Sequence, residues 1–266
     1  MRVRSLHGRA GRLKAGRFIV EGPQAVRSAI ASGVRVRDVY VDADHADDFA
    51  DLVGGAESLG ARTTQVTASV MSAMAETQHP QGILAVCDLL PARDLSSVMS
   101  VAGPVVVLDS VSDPGNVGTI IRTADAIGAA AVILSPDCAD VHSGKVVRST
   151  AGSLFHLPVL SGWSIVDVAK AAHDAGRSVA VATGDGDLDL FAAADAGAVT
   201  DRTCWIIGSE AHGVSVTARV VADVAVAIPM TGPLESLNAS VAAAVLLYVT
   251  RHAESRVHQR GERMTD

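Results

Sequence analysis

The stretch IPMTGPLESLNASVAAAVLLY, Ile228–Tyr248, leaves a strand, turns at Gly232-Pro233 and becomes a helix built largely of small residues. Leu237, Val241, Val245 and Tyr248 recur at helical spacing and predict one packed face. Ala239, Ser240, Ala242, Ala243 and Ala244 allow another backbone or subunit to approach closely. Ser236 is a natural N-cap. Asn238 then falls inside the first turn, where Asn is a poor helix former, so helix propensity does not account for it.

Working outward, the strand feeding this stretch, VAVAIPM (Val224–Met230), has four companions. They are PVVVLDSV (Pro104–Val111), AAVILSP (Ala130–Pro136), SVAVATG (Ser178–Gly184) and TCWIIGS (Thr203–Ser209). Continuous apolar runs ending in Gly, Ser or Pro predict strands buried on both faces of a parallel sheet. Upstream, RFIVEG, VRDVYVD, ARTTQVT and QGILAVCDL read as strands. They alternate with the helical PQAVRSAIASG, ADDFADLVGGAESLG and SVMSAMAET in a module of about 90 residues. LPARDLSSVMSVAGP (Leu90–Pro104) reads as a linker with one helical turn, and the charged end RHAESRVHQRGERMTD is expected to fray. The expected organisation is α/β with two domains, residues 1–95 and 103–266.

The chain has 266 residues, 48% hydrophobic and only 3% aromatic, which excludes disorder and an aromatic base-stacking platform. A formal charge of -7 argues against a generic nucleic-acid binder. The first acid, however, is Glu21, and before it stand Arg2, Arg4, Arg9, Arg12, Lys14 and Arg17. That segment reads as a phosphate-binding arm or as a frayed, solvated terminus. Cys87, Cys138 and Cys204 have no zinc-ligand spacing and suit a reducing compartment. No signal peptide and no apolar run of the ~20 residues that cross a bilayer is present, so a soluble, cytoplasmic protein without a membrane partner is expected.

Ligands of open α/β sheets sit beyond the carboxyl ends of the strands. There, Ser112–Ala129 offers a Gly115/Gly118 turn, Asn116 as a helix cap and Arg122 within about two turns, which suits an anion such as a phosphodiester or simply a capped helix with a surface Arg. Gly184-Asp185-Gly186 begins like a dinucleotide fingerprint, but Asp189 replaces the third glycine, so a plain turn is expected. Glu210 stands between Gly208 and Gly213, as a cap or a hydrogen-bonding anchor, with His212 beside it.

In their order, NVGTIIRTADAIGA, IIGSEAHGVS and IPMTGPLESLNASVAAAVLLY resemble the three signature motifs of the SpoU (TrmH-type) RNA ribose 2′-O-methyltransferases, across most of Val105–Tyr248. RFIVEGPQAVRSAI and MAETQHPQGILAV resemble that family's N-terminal substrate-binding domain, which is L30e-like. The resemblance implies a small L30e-like domain followed by a parallel-sheet α/β-knot domain with a deep trefoil knot, an exception to the rule against threaded chains. It implies methyl transfer from S-adenosylmethionine to a ribose 2′-hydroxyl of RNA, without a metal, in a homodimer. The acceptor is RNA because DNA lacks that hydroxyl, and the extra domain favours 23S rRNA. Transfer to tRNA, or a non-catalytic rRNA-binding or ribosome-assembly protein, are the alternatives.

By the same resemblance Arg122, Asn116, Glu210, Ser236 and Asn238 form the catalytic group, with Asn116 and Asn238 orienting Arg122 and the ribose. Thr183, Gly184, Gly208, Ile228, Met230 and Leu237 hold the donor. Arg9, Arg12, Lys14, Arg17, Lys145 and Arg148 are candidate RNA contacts. Two departures are visible: Gly144 stands where Pro often precedes the Lys, and Ala239 where Val is common.

Overall fold

The computed structural model describes residues 3–233 and 236–263. The first part forms α1 (Arg9–Ala15), β1 (Arg17–Glu21), α2 (Pro23–Ala31), β2 (Val36–Asp42), α3 (Ala50–Ser58), β3 (Arg62–Val66), α4 (Ala68–Met74) and β4 (Ile83–Asp88). There follow α5 (Leu95–Met99), β5 (Val105–Asp109), α6 (Pro114–Ala126), β6 (Ala131–Leu134), α7 (Gly144–Ser149), β7 (Val159–Ser161), α8 (Ile165–Asp174) and β8 (Ser178–Ala182). The last elements are β9 (Leu188–Asp189), α9 (Leu190–Asp195), β10 (Thr203–Gly208), α10 (Val216–Val221), β11 (Val224–Ala227) and α11 (Ala239–Arg263). The chain divides into two compact units, Met1–Ala92 with Asp140–His156, and Arg93–Ala139 with Leu157–Asp266.

The first unit holds a sheet of order β1-β4-β2-β3, in which only β2 and β3 run parallel. Its basic N-terminus is not frayed. Val3 and Leu6, on a single 3-10 turn, bury against Ile19, Met71, Leu84 and Val86. α1 then stops at Gly16, which adopts the left-handed conformation (φ 63) and returns its N–H to the helix. Arg2 lies outside the described residues. Segment Asp140–His156, expected within the second domain, clusters instead with this unit and packs α7 on β1.

The anchor of that segment is Arg12. It is buried, donates to the Asp140 carboxylate at 2.7 and 3.2 Å, and donates again to the Leu6 and His7 carbonyls. Burial pushes the Asp140 carboxyl up, but hydrogen bonds from Arg12 and the His142 N–H outweigh it and hold it below the ordinary value. His142 packs edge-on to Phe18 with ring centroids 4.8 Å apart, and its Nε2 accepts the Leu90 N–H at 3.2 Å.

The second unit holds seven parallel strands in the order β7-β6-β5-β10-β8-β11-β9. Val105, Val107, Ile133, Val179, Val181 and Ile206 meet α5, α8 and Ala218 of α10 on one face. On the other, Trp205 is sealed from solvent and its Nε1 donates to Thr250 of α11 at 3.2 Å. Two covered faces explain the unbroken apolar runs. The edge strands β7 and β9, of 3 and 2 residues, are too short to carry such a run and were not predicted. The expected linker turn is α5, whose Leu95, Val98 and Met99 enter the core. Buried Arg177 fixes its end by donating to the carbonyls of Met99, Val101 and Gly103.

The helix at the chain's end departs from the predicted phase. The Asn238 carboxamide accepts the N–H groups of Ser240 (2.9 Å) and Val241 (3.4 Å), so Asn238 is the cap and the helix begins at Ala239. The buried residues are then Ala239, Ala243, Leu246, Leu247 and Thr250, while Val241 and Tyr248 are exposed and Leu237 precedes the helix. The segment expected to fray continues α11 to Arg263.

Candidate active site

Strand order reverses direction around β5 and β10, and the loops beyond their carboxyl ends frame the crevice where such sheets bind ligands. On the β8 side of that crevice a cleft of about 200 Å³ opens between the ends of β8, β10 and β11 and the start of α11. Thr183, Gly184, Gly208, Ile228, Met230 and Leu237 all line it, together with Ile207, Ala239 and Ala242. Gly208 is required by space: a Cβ there would lie 2.0 Å from the Gly213 carbonyl and 2.3 Å from the Val214 nitrogen. The returning loop is closed by the Gly213 N–H on the Ser209 carbonyl at 2.8 Å.

The rim beside β8 is held from α10. Arg219 donates to Thr183 Oγ1 at 2.8 Å and to Asp185 at 3.0 and 3.2 Å. The hydrogen bond from Thr183, then those from Arg219, pull the exposed Asp185 carboxyl down to about 2. Gly186 is explained by contact, since a Cβ there would lie 2.6 Å from the backbone of Val226. The Gly-Asp-Gly turn is thus a packed turn, as expected.

Three side chains from three distant stretches meet at the mouth of the cleft. Asn116 Nδ2 donates to Glu210 Oε1, and Asn238 Nδ2 donates to Asn116 Oδ1 (3.0 Å) and to Glu210 Oε1 (3.4 Å). This is possible because Asp113 caps α6 in place of Asn116, accepting the Asn116 N–H at 2.8 Å, with Pro114 at the first helical position. The Asn116 amide is left free to reach Glu210. Ser236 is exposed and lines the cleft without joining this cluster. Arg122 is exposed on α6 and has no polar partner among the described residues. The two amides therefore hold Glu210 and not, as the sequence reading had it, Arg122.

Of the candidate RNA contacts, Arg9 and Lys14 are exposed on α1, and Lys145 is exposed on α7. Arg12 is withdrawn into its bond with Asp140, which removes it as a surface cation. Arg17 is half-buried 3.7 Å from Asp88, and Arg148 lies 3.2 Å from Glu21 and 3.8 Å from Glu76. These two are largely neutralised within their own unit. Gly144 lies where a Cβ would sit 2.3 Å from a Glu76 oxygen, a local reason for the departure from Pro.

The loops after β5, β6 and β10 enclose a second cavity, about 460 Å³, which shares Ser209, Glu210 and Gly213 with the cleft. Asp137, in an ordinary turn after β6, gave no sequence signal. Among the described residues no three His, Cys, Asp or Glu side chains converge as metal ligands. Burial pushes the Cys87 and Cys204 thiols up to about 12, which leaves them unreactive.

The comparisons with known proteins agree over most of the chain. Residues 103–248 match the SpoU rRNA Methylase family, and residues 1–85 match the MRM3-like substrate binding domain. The 23S rRNA (guanosine(2553)-2'-O)-methyltransferase RlmP of Bacillus subtilis is 35% identical over 250 residues, which cover 93% of this chain and 94% of that one. The 23S rRNA (uridine(2479)-2'-O)-methyltransferase of Streptomyces viridochromogenes is 34% identical, covering 91% and 85%. The crystal structure of the SpoU methyltransferase AviRb from Streptomyces viridochromogenes, in complex with the cofactor AdoMet, matches with a TM-score of 0.81 and 30% identity over 96% of each chain. With the family's motifs meeting at one cleft and its profile spanning the sheet that builds it, the chain belongs to the SpoU rRNA methylase family.

Proposed function

We propose that this protein transfers a methyl group from S-adenosylmethionine to a ribose 2′-hydroxyl of 23S rRNA. The observation that carries the reading is the Asn116–Glu210–Asn238 cluster, one residue from each motif, at the mouth of a largely apolar cleft. The cleft suits the donor. Ile207, Ile228 and Leu237 offer apolar walls for a flat heteroaromatic ring, and the strand ends at Thr183-Gly184 and Gly208 offer backbone groups for its edge. Glu210 adds negative charge of the sign a sulfonium requires. When bound, the donor supplies an electrophilic methyl carbon.

The chain's own residues then have distinct tasks. Thr183, Gly184, Gly208, Ile228, Met230 and Leu237 hold the donor, and Ser236 hydrogen-bonds within the site. Asn116 and Asn238 fix Glu210. Arg122, exposed and without a polar partner among the described residues, takes the acceptor's phosphate and steadies the attacking oxygen. A guanidinium keeps its proton to a pKa above ~12, so the hydroxyl proton leaves through a neighbouring group or water. Oxygen and methyl carbon must be held ~3–3.5 Å apart and aligned, which is what rigid loop closure at Gly208 favours.

Residues 1–95 select the RNA and residues 103–266 carry the reaction. Arg9, Lys14 and Lys145 are the exposed cations assigned to phosphate contact. The trefoil threading of the family belongs to this reading, supported by the backbone-to-backbone approach at Gly208. So does a homodimer through α11, where small residues adjoin the exposed Val241 and Tyr248. The expected setting is the cytoplasm, where ribosomal RNA is made. The test is incubation with labelled S-adenosylmethionine and, separately, 23S rRNA, 16S rRNA and tRNA. Alkali-resistant label in 23S rRNA is the expected result, and label confined to tRNA overturns the substrate.

A further inference from the structure

The second cavity is set apart from the donor cleft that it adjoins by its acids. Ser110, Ser112, Asp137 and His212 line it beside Asp109 and Glu210, and no Lys or Arg among the described residues does. A phosphodiester placed there would meet the carboxylates of Asp109, Asp137 and Glu210 with no cation to offset them. The cavity suits a group that donates hydrogen bonds.

Two of those acids already have donors. Asp109 accepts the Ser215 N–H at 2.7 Å, and Glu210 accepts from Asn116 and Asn238. Asp137 is exposed and makes no hydrogen bond or ion pair among the described residues. The wall opposite in sequence is held in an unusual shape. Ser110 has φ 60, the left-handed region that side-chain-bearing residues seldom adopt, and its N–H is tied to Ser135 Oγ at 2.9 Å. Such conformations persist where the surroundings over-determine them, and they gather at binding sites.

We propose that this cavity receives the base of the nucleotide whose ribose is methylated, that Asp137 reads that base, and that the base is guanine. The inference rests on the methyl-transfer reading above. A target ribose must lie beside the donor, and the cavity shares Ser209 and Glu210 with the donor cleft. A carboxylate presents two acceptor oxygens side by side. Guanine presents two adjacent donors, its N1–H and its N2 amino group, so the match is bidentate. Adenine and cytosine set an amino group beside an acceptor nitrogen, and uracil sets one N–H between two carbonyls. Family membership does not fix the base, since the two relatives named above carry guanosine in one case and uridine in the other.

The experiment methylates a 23S rRNA transcript with labelled donor, digests the product to nucleosides and identifies the labelled one. The expected product is 2′-O-methylguanosine. Asp137→Asn, which replaces one acceptor oxygen by a donor, should lower kcat/KM for the RNA by about tenfold or more while leaving the donor Kd unchanged. Inosine at the mapped position, which lacks the N2 amino group, should lower the wild-type rate and shrink the effect of Asp137→Asn. Label on uridine, adenosine or cytidine overturns the inference, as does an unchanged kcat/KM in Asp137→Asn. Donor binding without label in any RNA takes down the proposed reaction and this assignment with it, and is recognised by the silence of the wild type.

Discussion

At Asn238 one side chain serves two purposes. Its oxygen caps α11 and its nitrogen points a hydrogen bond into the Asn116–Glu210 pair. The two can be separated. Asn238→Ser keeps a good cap and removes the amide donor, so the thermal midpoint should stay near wild type while methyl transfer falls at least tenfold. Asn238→Ala should lose the cap as well, at a cost of about 1 kcal/mol. Equal activity in both variants and the wild type would reduce Asn238 to a capping residue. Arg122→Ala tests the other half of the site. Methyl transfer should be abolished and donor affinity, read by calorimetry, should stay within about twofold. A lost donor affinity would place Arg122 in the donor site. In the sequence the residue types at these positions were visible, and so was their kinship. The partners were not, because capping is decided locally: Asp113 displaced Asn116 as a cap and freed its amide, which no spacing rule shows.

Among elements, the clearest divergence from expectation lies in α11 and in the Asp140–His156 segment. The predicted stripe was anchored on Leu237, which precedes the helix, whereas the buried stripe runs through Ala239, Ala243, Leu246, Leu247 and Thr250, so Val241 and Tyr248 emerged on the surface. For Asp140–His156 the decisive contact is long-range, Arg12 to Asp140, 128 residues apart, and periodicity carries no trace of it. His142 in that segment makes stability depend on pH. Burial pulls its imidazole down to about 4 from an ordinary 6.5, with Arg12 acting the same way and Asp140 against. Between those values the unfolded chain binds a proton that the folded chain refuses. Its contribution is therefore complete above about pH 6.5 and is lost as pH falls toward 4, by at most about 3 kcal/mol. Urea midpoints should drop between about pH 7.5 and about pH 5, and His142→Gln should flatten that part of the slope. An identical slope in the variant would assign the loss to other groups.

For the molecule as a whole, strand content was legible because the second unit's strands are covered on both faces and read as plain apolar runs. The edge strands and the second cavity were not, since both arise from loops whose residues look like ordinary turns. Exposed Val241 and Tyr248 leave an apolar face on α11 that the proposed homodimer would cover. Charges at both positions, Val241→Glu with Tyr248→Glu, should halve the mass found by light scattering and leave the circular dichroism spectrum intact. An undiminished mass would move the subunit contact elsewhere. Trp205, sealed from water and bonded to Thr250, has a further use. The chain has 2 tryptophans, Trp163 and Trp205, and both lie in the second unit. Tryptophan emission is thus an optical channel belonging to that unit alone, whereas far-ultraviolet dichroism sums the helices and strands of both. Melting curves recorded in the two channels on one sample will superpose if the units unfold together and separate if they do not, with no label attached.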